Sequence, residues 1–203
     1  GTNRVLFERI LSRAINEYKG VKESEVRKKV EESEQFYDFE LQDELFFNEH
    51  TDEKVKAKKY AYDPCYLNVD RSKPEKDFED FLNANEKKIV WWWKNGEGKL
   101  EYFGVKYEYE DQISTFYPDY LVQFKDGQLG IFEVKDAGDR DGKTLTKAKA
   151  EALQKYIANS KNKKLFGGIA IKKDHDWLLN QEKSYDWSRV DHGDWSNWKF
   201  LNS

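Results

Sequence analysis

Methionine is absent from this 203-residue chain, and cysteine, histidine and proline are rare, with one, three and three residues. Cys65 is the single cysteine, so no disulfide can form within the chain, and the scattered histidines cannot assemble a zinc site with it. The sequence has no run of about 18 apolar residues, so we expect no membrane-spanning helix. Together these absences favour a protein of the reducing cytoplasm with no membrane partner.

The missing methionine and the start at Gly1-Thr2 lead us to expect an excised fragment of a longer polypeptide. Charged residues make up 36% of the chain and aromatic residues 16%, with seven tryptophans, which is typical of a folded protein with an aromatic core. The net charge of -4 argues weakly against binding nucleic acid through overall positive charge. Any such contact should therefore be local or assisted by a metal ion.

One stretch, residues 116–136 (FYPDYLVQFKDGQLGIFEVKD), organises the chain. Its two apolar runs flank Lys125, Asp126 and Gly127, and Asp-Gly between alternating hydrophobic residues indicates a β-hairpin. A two-residue loop would place Asp119 opposite Val134, whereas a three-residue loop with Gly127 in the left-handed conformation would place it opposite Glu133. We favour the three-residue loop.

In that register one face of the hairpin carries Asp119, Leu121, Glu133 and Lys135, and the other face is entirely apolar or aromatic. Two adjacent carboxylates repel each other unless a cation lies between them, and hard oxygen ligands suit Mg²⁺. A neighbouring lysine can position a water molecule or stabilise charge on a phosphate. These groups are suited to phosphodiester hydrolysis, and the competing interpretation is an ordinary hairpin with solvated charges.

Pro118-Asp119, followed after a strand-length gap by Glu133-Val134-Lys135, resembles the PD-(D/E)xK nuclease superfamily. The resemblance implies a restriction-endonuclease-like core in which Asp119, Glu133 and the carbonyl of Val134 hold Mg²⁺, with Mn²⁺ as a possible substitute, and Lys135 assists catalysis. In that superfamily a helix before the hairpin often supplies another acidic residue. Glu75 is favoured over Glu79 for this role.

Residues 72–85 (SKPEKDFEDFLNAN) predict that helix. Ser72 is a candidate N-cap with Glu75 three residues later, the pattern of a capping box, and Pro74 fits the first turn. Phe78, Phe81 and Leu82 then form an apolar stripe. Glu75 could therefore merely complete the capping box, which leaves its catalytic role open.

The rest of the pattern predicts strands over residues 89–93, 99–110, 165–172 and 198–201, and a helix over 144–159. Lys143, Lys147 and Lys149 lie near the start of that helix and are candidate contacts to a DNA backbone, with simple solvation as the alternative. The predicted fold is α/β, a restriction-endonuclease-like mixed β-sheet flanked by helices, with an N-terminal mainly helical extension.

Residues 1–70 form the predicted extension or junction, and residues 71–203 the predicted nuclease domain. Helical spacing covers residues 3–19, the charged segment 24–33 indicates a solvated helix, and no chemistry can be assigned to residues 35–70.

The residues around the motif, Ser72 to Glu75, Trp92 to Asn95 and Tyr117 to Tyr120, resemble the C-terminal endonuclease region of type III restriction subunits or related helicase-nuclease fusions. This resemblance implies a double-stranded DNA substrate, an ATP-driven helicase or translocase domain upstream in the same polypeptide, and a partner DNA methyltransferase subunit. ATP would bind only in that upstream motor. The alternatives are a catalytically silent scaffolding or DNA-binding module and an RNA-directed nuclease.

Overall fold

The structure, a computed structural model, describes residues 7, 9–11, 13–14, 17, 41, 47, 50–95, 103–138 and 143–201. The elements with defined bounds are β1 (Asp52–Lys54), β2 (Tyr66–Asn68), α1 (Lys73–Ala84), β3 (Ile89–Lys94), β4 (Val105–Tyr109), β5 (Gln112–Phe116), β6 (Tyr120–Phe124), β7 (Leu129–Lys135), α2 (Lys143–Asn159), β8 (Leu165–Lys173), β9 (Asp176–Asn180), α3 (Trp187–Asp191) and β10 (Trp198–Phe200).

Within these ranges a six-stranded sheet forms the centre of the fold, in the order β10-β9-β8-β7-β6-β3. Its β7 and β8 are parallel and its other neighbours are antiparallel, so the sheet is mixed. The predicted α/β class with a mixed sheet is therefore confirmed. Its restriction-endonuclease-like character stays a prediction.

Helix α1 covers one face of this sheet because its apolar stripe points inward. Phe78 is fully buried, and its ring centroid lies 5.1 Å from that of Tyr120, 5.5 Å from that of Phe132 and 4.8 Å from that of Trp177. These residues come from β6, β7 and β9, so one side chain ties the helix to three strands. Truncating a buried phenylalanine of this kind costs about 3–5 kcal/mol.

Helix α2 covers the opposite face. Leu153 is fully buried against Leu121 and Ile131 of the central hairpin. The crossover from β7 through α2 to the parallel strand β8 brings the helix back onto the sheet, as βαβ units do. Both faces of the hairpin are therefore packed, whereas the sequence predicted packing on only one of them.

Two adjacent glycines allow the close packing of β8 against its neighbours. A Cβ on Gly167 would lie 1.9 Å from the carbonyl oxygen of Ile131, and one on Gly168 would lie 1.9 Å from that of Asn180. Both glycines have φ of 152°. No side chain fits at either position without moving backbone.

Several predicted elements are found where expected, including α1, α2, β3, β8 and the edge strand β10. The strand predicted over residues 99–110 is β4, but it pairs with β5 in a two-stranded ribbon rather than joining the main sheet. The sequence did not predict β5, β9 or α3. These segments are short, so their conformation is decided by packing against distant residues rather than by local propensity.

At the N-terminus, the described residues between 7 and 17 are helical, in line with the predicted helix over 3–19, whereas the predicted helix over 24–33 lies outside the described residues. Cys65 and Leu67 are buried in the same core as Phe78. Part of the predicted extension thus packs on the sheet, and the boundary at residue 70 stays a prediction. No helix in the described part of the chain combines the length and apolarity needed to span a membrane.

Candidate carboxylate-lysine site

The register of the central hairpin is the one predicted from a three-residue loop. Tyr120 pairs with Phe132, the backbone N–H of Phe124 donates to the carbonyl of Gln128 over 2.8 Å, and Gly127 has φ of 86°. Continuing this pairing by one residue places Asp119 opposite Glu133. The two carboxylates therefore meet where β6 begins and β7 ends.

A hydrogen bond to the sheet holds the Asp119 side chain in place. Its Oδ2 accepts the backbone N–H of Val134 over 2.7 Å, and its own carbonyl accepts the backbone N–H of Asn95 over 2.8 Å. The N–H and C=O of one strand residue point to the same side of the strand, so the Val134 carbonyl is expected on the side of β7 that faces β6. Asp119, Glu133 and this carbonyl, the three predicted ligands, thus lie at one end of the hairpin.

Glu75 has two roles at once. Its Oε2 accepts the backbone N–H of Ser72 over 2.7 Å, and Ser72 in turn caps the backbone of Glu75, which completes the predicted capping box. Its Oε1 forms an ion pair with Lys94. The two sequence interpretations of Glu75, a cap and a residue of the site, are compatible because each uses a different oxygen.

Lys94 links Glu75 to the hairpin. Its Nζ also lies 3.6 Å from Oδ1 of Asp119 and 5.0 Å from the centroid of the Tyr120 ring. The lysine side chain is largely buried, so its charge is weakly screened by solvent. Sequence reasoning did not identify Lys94 as a site residue. The local signals were its position at the end of a strongly apolar strand and its place in the segment Trp92 to Asn95, which carries part of the resemblance.

Glu133 has two lysines near it. Its Oε1 lies 2.9 Å from Nζ of Lys135, on the same strand, and 3.9 Å from Nζ of Lys149, on α2. The predicted contact of Lys149 with DNA stays a prediction, and the structure places this lysine near Glu133 of the carboxylate pair. The Lys149 ammonium also lies 5.7 Å from the ring centroid of Phe116.

The other two candidate DNA contacts are less informative. Lys147 is exposed and lies 3.9 Å from Glu151 on the same helix, in an i,i+4 pair. Lys143 is the first residue of α2, and its side chain lies outside the described part of the structure. The Lys147 ammonium is thus paired along the helix surface, away from Asp119 and Glu133.

The electrostatics of the site centre on Asp119. Burial and the negative charge of Glu133 raise the pKa of the Asp119 carboxyl to about 7, although Lys94 and the Val134 N–H act in the opposite direction. Burial also acts to lower the pKa of Lys94, but the carboxylates of Asp119 and Glu75 outweigh it and raise that pKa. Burial and the proximity of Glu133 therefore outweigh the effect of Lys94 on Asp119.

Glu79, the second acidic candidate of α1, is placed differently. It is buried behind Tyr120, whose hydroxyl donates to Oε1 of Glu79 over 3.0 Å, and it lies 3.0 Å from Nε of Arg71. Burial raises the pKa of Glu79. This buried ion pair lies beneath α1. Glu75, and not Glu79, is therefore the acidic residue of α1 that reaches the site.

The carboxylate pair and the Val134 carbonyl offer oxygen donors to a divalent cation. Among the described residues, no three or more histidine, cysteine, aspartate or glutamate side chains are grouped as a metal site. The two carboxylates of Asp119 and Glu133 and the Val134 carbonyl are hard oxygen ligands, and Mg²⁺ commonly uses one or two carboxylates and keeps several waters. The raised pKa of Asp119 shows a carboxylate pair whose repulsion a cation would relieve. The residues therefore fit Mg²⁺.

Comparisons with known proteins add no relatives. No protein-family model, no curated protein and no solved structure matches this chain. The functional interpretation therefore depends on the site itself.

Proposed function

We propose that this chain is a Mg²⁺-dependent DNA endonuclease domain that hydrolyses phosphodiester bonds, the cleavage module of a type III restriction enzyme or a related helicase-nuclease. One observation carries the proposal: Asp119 lies opposite Glu133 in the hairpin, and Lys135 lies 2.9 Å from Glu133 on the same face. The hairpin turn separates Asp119 from Glu133 and Lys135 in sequence. The fold brings the three residues together where β6 begins and β7 ends.

The surroundings of the pair support a catalytic rather than a purely structural role. Burial raises the pKa of both Glu79 and Asp119, but Glu79 is paired with Arg71, whereas Asp119 also has the negative charge of Glu133 beside it, and its pKa is raised to about 7. Perturbed carboxyl groups of this kind are concentrated at functional sites. The opposite face of the hairpin is packed core, so the site stands on a rigid support.

In the proposed mechanism Asp119, Glu133 and the Val134 carbonyl hold the cation. When bound, Mg²⁺ supplies positive charge that stabilises the phosphate as negative charge develops on it. The Lys135 ammonium positions the attacking water. That water gives up a proton to solvent and forms the new P–O bond as the ester P–O bond breaks on the far side, in one displacement without a covalent enzyme intermediate. The leaving oxygen takes up a proton from solvent.

Glu75 and Lys94 act from α1 and β3. The Lys94 ammonium pairs with Glu75 and lies 3.6 Å from Asp119, and it would add positive charge beside a phosphate bound at the site. Lys149 is close enough to Glu133 to contribute to the same field. Both lysines add local positive charge to a chain whose net charge is -4.

The wider assembly follows from the resemblance of the motif. Double-stranded DNA is the proposed substrate, with Mn²⁺ able to replace Mg²⁺. The proposed partners are an upstream ATP-driven translocase domain in the same polypeptide and a DNA methyltransferase subunit. An RNA substrate is the alternative within the same chemistry.

The proposal is tested by a plasmid-nicking assay in Mg²⁺ with wild type, Lys135→Ala and Lys172→Ala. Lys172 forms an ion pair with Asp77 at 3.0 Å on the protein surface and serves as a matched control for loss of a lysine. We expect Lys135→Ala to lose nicking, by about 100-fold or more, while still binding metal. Lys172→Ala should nick like wild type. Equal nicking by all three proteins would contradict the assigned role of Lys135.

A catalytically silent scaffolding module is the second candidate. The observation that favours it is that Lys94, Lys135 and the capping box already engage the three acidic residues of the site. A folded wild-type protein that neither binds a divalent cation nor nicks DNA would support this candidate. Metal binding without nicking would instead indicate a nuclease that requires its translocase.

A further inference from the structure

We propose that a second site, a basic cleft at the turn end of the sheet, binds a single-stranded nucleic acid segment. The cleft has a volume of about 520 Å³ and is lined by four lysines, Lys87, Lys88, Lys125 and Lys199. This volume lies within the range of ordinary ligand sites, about 300–1,000 Å³. The cleft shares no residue with the carboxylate site, and the inference goes beyond the proposed function.

The charge of the cleft is opposite to that of the chain. Asp126 is the single acidic residue of the lining, which leaves an excess of three positive charges in a protein whose net charge is -4. The Asp126 carboxylate is engaged in its own turn, where it accepts the backbone N–H of Gln128 over 2.9 Å. Lys164 adds a further ammonium group, 3.2 Å from the Asp126 carbonyl. Such a local concentration of lysines favours a polyanion.

The aromatic residues of the cleft narrow the choice of polyanion. Phe200, on the edge strand β10, is 57% exposed and is flanked in sequence by Lys199. Phe124 and Phe166 also line the cleft, with ring centroids 5.6 Å apart. Lysines that follow a phosphate backbone, combined with aromatic rings that stack on bases, are the features by which proteins bind single strands without sequence preference.

Two amide side chains complete the chemistry. Gln128 and Gln181 line the same cleft, and glutamine side chains can both donate to and accept from base edges. A recess lined by stacking rings and amides admits an unpaired base. Stacking on these rings requires an unpaired base, because the bases of a duplex already stack on one another, so a single strand fits better than double-stranded DNA.

The cleft is well separated from the carboxylates. Phe124 and Gln128 flank the hairpin turn, and Asp119 and Glu133 lie five residues away along their strands. At roughly 3.3 Å per residue the separation is about 17 Å. A nucleic acid strand held in the cleft would therefore lie away from the carboxylates at which cleavage is proposed. Its binding in the cleft needs no metal ion.

Fluorescence anisotropy of a labelled twenty-residue oligothymidylate, in EDTA so that no cleavage can occur, tests the proposal. The cleft variant is Lys87→Glu/Lys125→Glu/Lys199→Glu. The control variant is Lys54→Glu/Lys56→Glu/Lys183→Glu, which makes the same change in net charge at exposed lysines outside the cleft. We expect the cleft variant to bind at least about tenfold more weakly than the control, and the salt dependence of its affinity to fall by about two in log–log slope.

Phe200→Ala provides a second measurement that keeps every lysine in place. We expect about a tenfold loss of affinity for the oligothymidylate, because a base can no longer stack on the ring. The fold should be retained, since the ring is exposed and packs little of the core. Thermal melts of all variants show that each is folded before its affinity is interpreted.

Equal weakening in the cleft and control triple variants would overturn the site, as would an unchanged affinity in Phe200→Ala. A duplex of the same length that competes as well as the single strand would overturn the assignment of the ligand. Binding of inorganic phosphate but not of the oligothymidylate would also overturn the assignment of the ligand. Because the measurement is made without metal, its failure leaves the nuclease proposal standing, and loss of nicking in Lys135→Ala leaves this site standing.

Discussion

Replacing Lys94 by methionine removes the charge that joins α1 to the hairpin while keeping most of the side chain's length. In wild type the Lys94 ammonium pairs with Glu75 and lies 3.6 Å from Asp119. Without it, Asp119 and Glu133 retain their mutual repulsion at a position where burial already raises the pKa of Asp119 to about 7. The variant should therefore be unstable in the absence of metal, and a divalent cation should restore its stability.

The size of the effect follows from the burial of the pair. Removing one partner of a buried ion pair costs about 3–5 kcal/mol, and we expect the lower end, about 3 kcal/mol, because the side chains keep some exposure to solvent. For a chain of this length, each 1 kcal/mol shifts Tm by about 2–4 °C, so Tm should fall by about 6–12 °C. Lys172→Met, which breaks the more exposed pair with Asp77, should cost less than about 1 kcal/mol.

The sign of the pH dependence is also fixed. A carboxyl whose pKa is raised by folding binds more protons in the folded state, so its contribution to stability falls as pH rises from about 4 to about 7. Loss of Lys94 raises the pKa of Asp119 further, and the deficit of Lys94→Met should be larger at pH 8 than at pH 5. At pH 5 the Asp119 carboxyl is protonated, so it no longer repels Glu133 and the loss of the Lys94 ammonium matters less.

Differential scanning calorimetry at pH 8, with and without Mn²⁺ or Mg²⁺, provides the assay. Metal at about 100 times its Kd stabilises a protein by about 2.7 kcal/mol, enough to recover most of the expected loss. We expect a larger rise in Tm with metal in Lys94→Met than in wild type, because no ammonium competes for the carboxylates. A variant that melts like Lys172→Met, or one whose Tm does not respond to metal, would refute the reasoning.

Three further predictions concern the site and its support. Proton and cation compete for Asp119, so calorimetric titration should show Mn²⁺ binding about tenfold more weakly at pH 6 than at pH 8, and a pH-independent affinity would contradict the raised pKa. Gly167→Ala places a Cβ 1.9 Å from the Ile131 carbonyl oxygen and should cost more than about 3 kcal/mol in urea unfolding. The control Gly193→Ala, with φ of 70° and open space around it, should cost about 1 kcal/mol, so equal losses would count against the close packing of β8. Ser72→Ala removes half of the capping box and should destabilise the protein by about 1 kcal/mol, measured by thermal melting, while leaving nicking detectable.

The hairpin could be predicted from sequence because its determinants are local. The loop residues Lys125, Asp126 and Gly127 select the turn, the turn sets the register, and the register decides which side chains face each other. The capping box of α1 is local in the same sense, since Ser72 and Glu75 are three residues apart. Patterns between residues a few positions apart can be recognised in the sequence before any tertiary contact is known.

The rest of the site could not be predicted because it depends on contacts between residues far apart in the chain. Lys94 reaches Asp119 only because β3 pairs with β6, and Lys149 reaches Glu133 only because α2 crosses back over the sheet. The resemblance included Lys94 within the segment Trp92 to Asn95 without giving it a role, and Lys149 was a candidate DNA contact rather than an expected neighbour of Glu133. The helix periodicity predicted α2 itself, but not which of its lysines would be turned toward the hairpin.

The ribbon of β4 and β5 shows the same limit. Its alternating pattern predicted a strand without indicating a partner, and in the structure β4 pairs with β5 and packs its buried Val105 against the α2 side of the core. An alternating pattern shows that one face is buried without showing which element buries it. The sheet to which a strand belongs is a tertiary property.

The most direct test of the central claim is a calorimetric titration of Mg²⁺ and Mn²⁺ into wild type, Asp119→Ala and Glu133→Ala, with plasmid nicking measured on the same samples. Asp77→Ala, on the exposed side of α1, is the matched control for loss of an aspartate. The account predicts that wild type and Asp77→Ala bind metal and nick DNA, and that Asp119→Ala and Glu133→Ala lose both while remaining folded. Normal nicking by either carboxylate variant, or full metal binding in both, would contradict it.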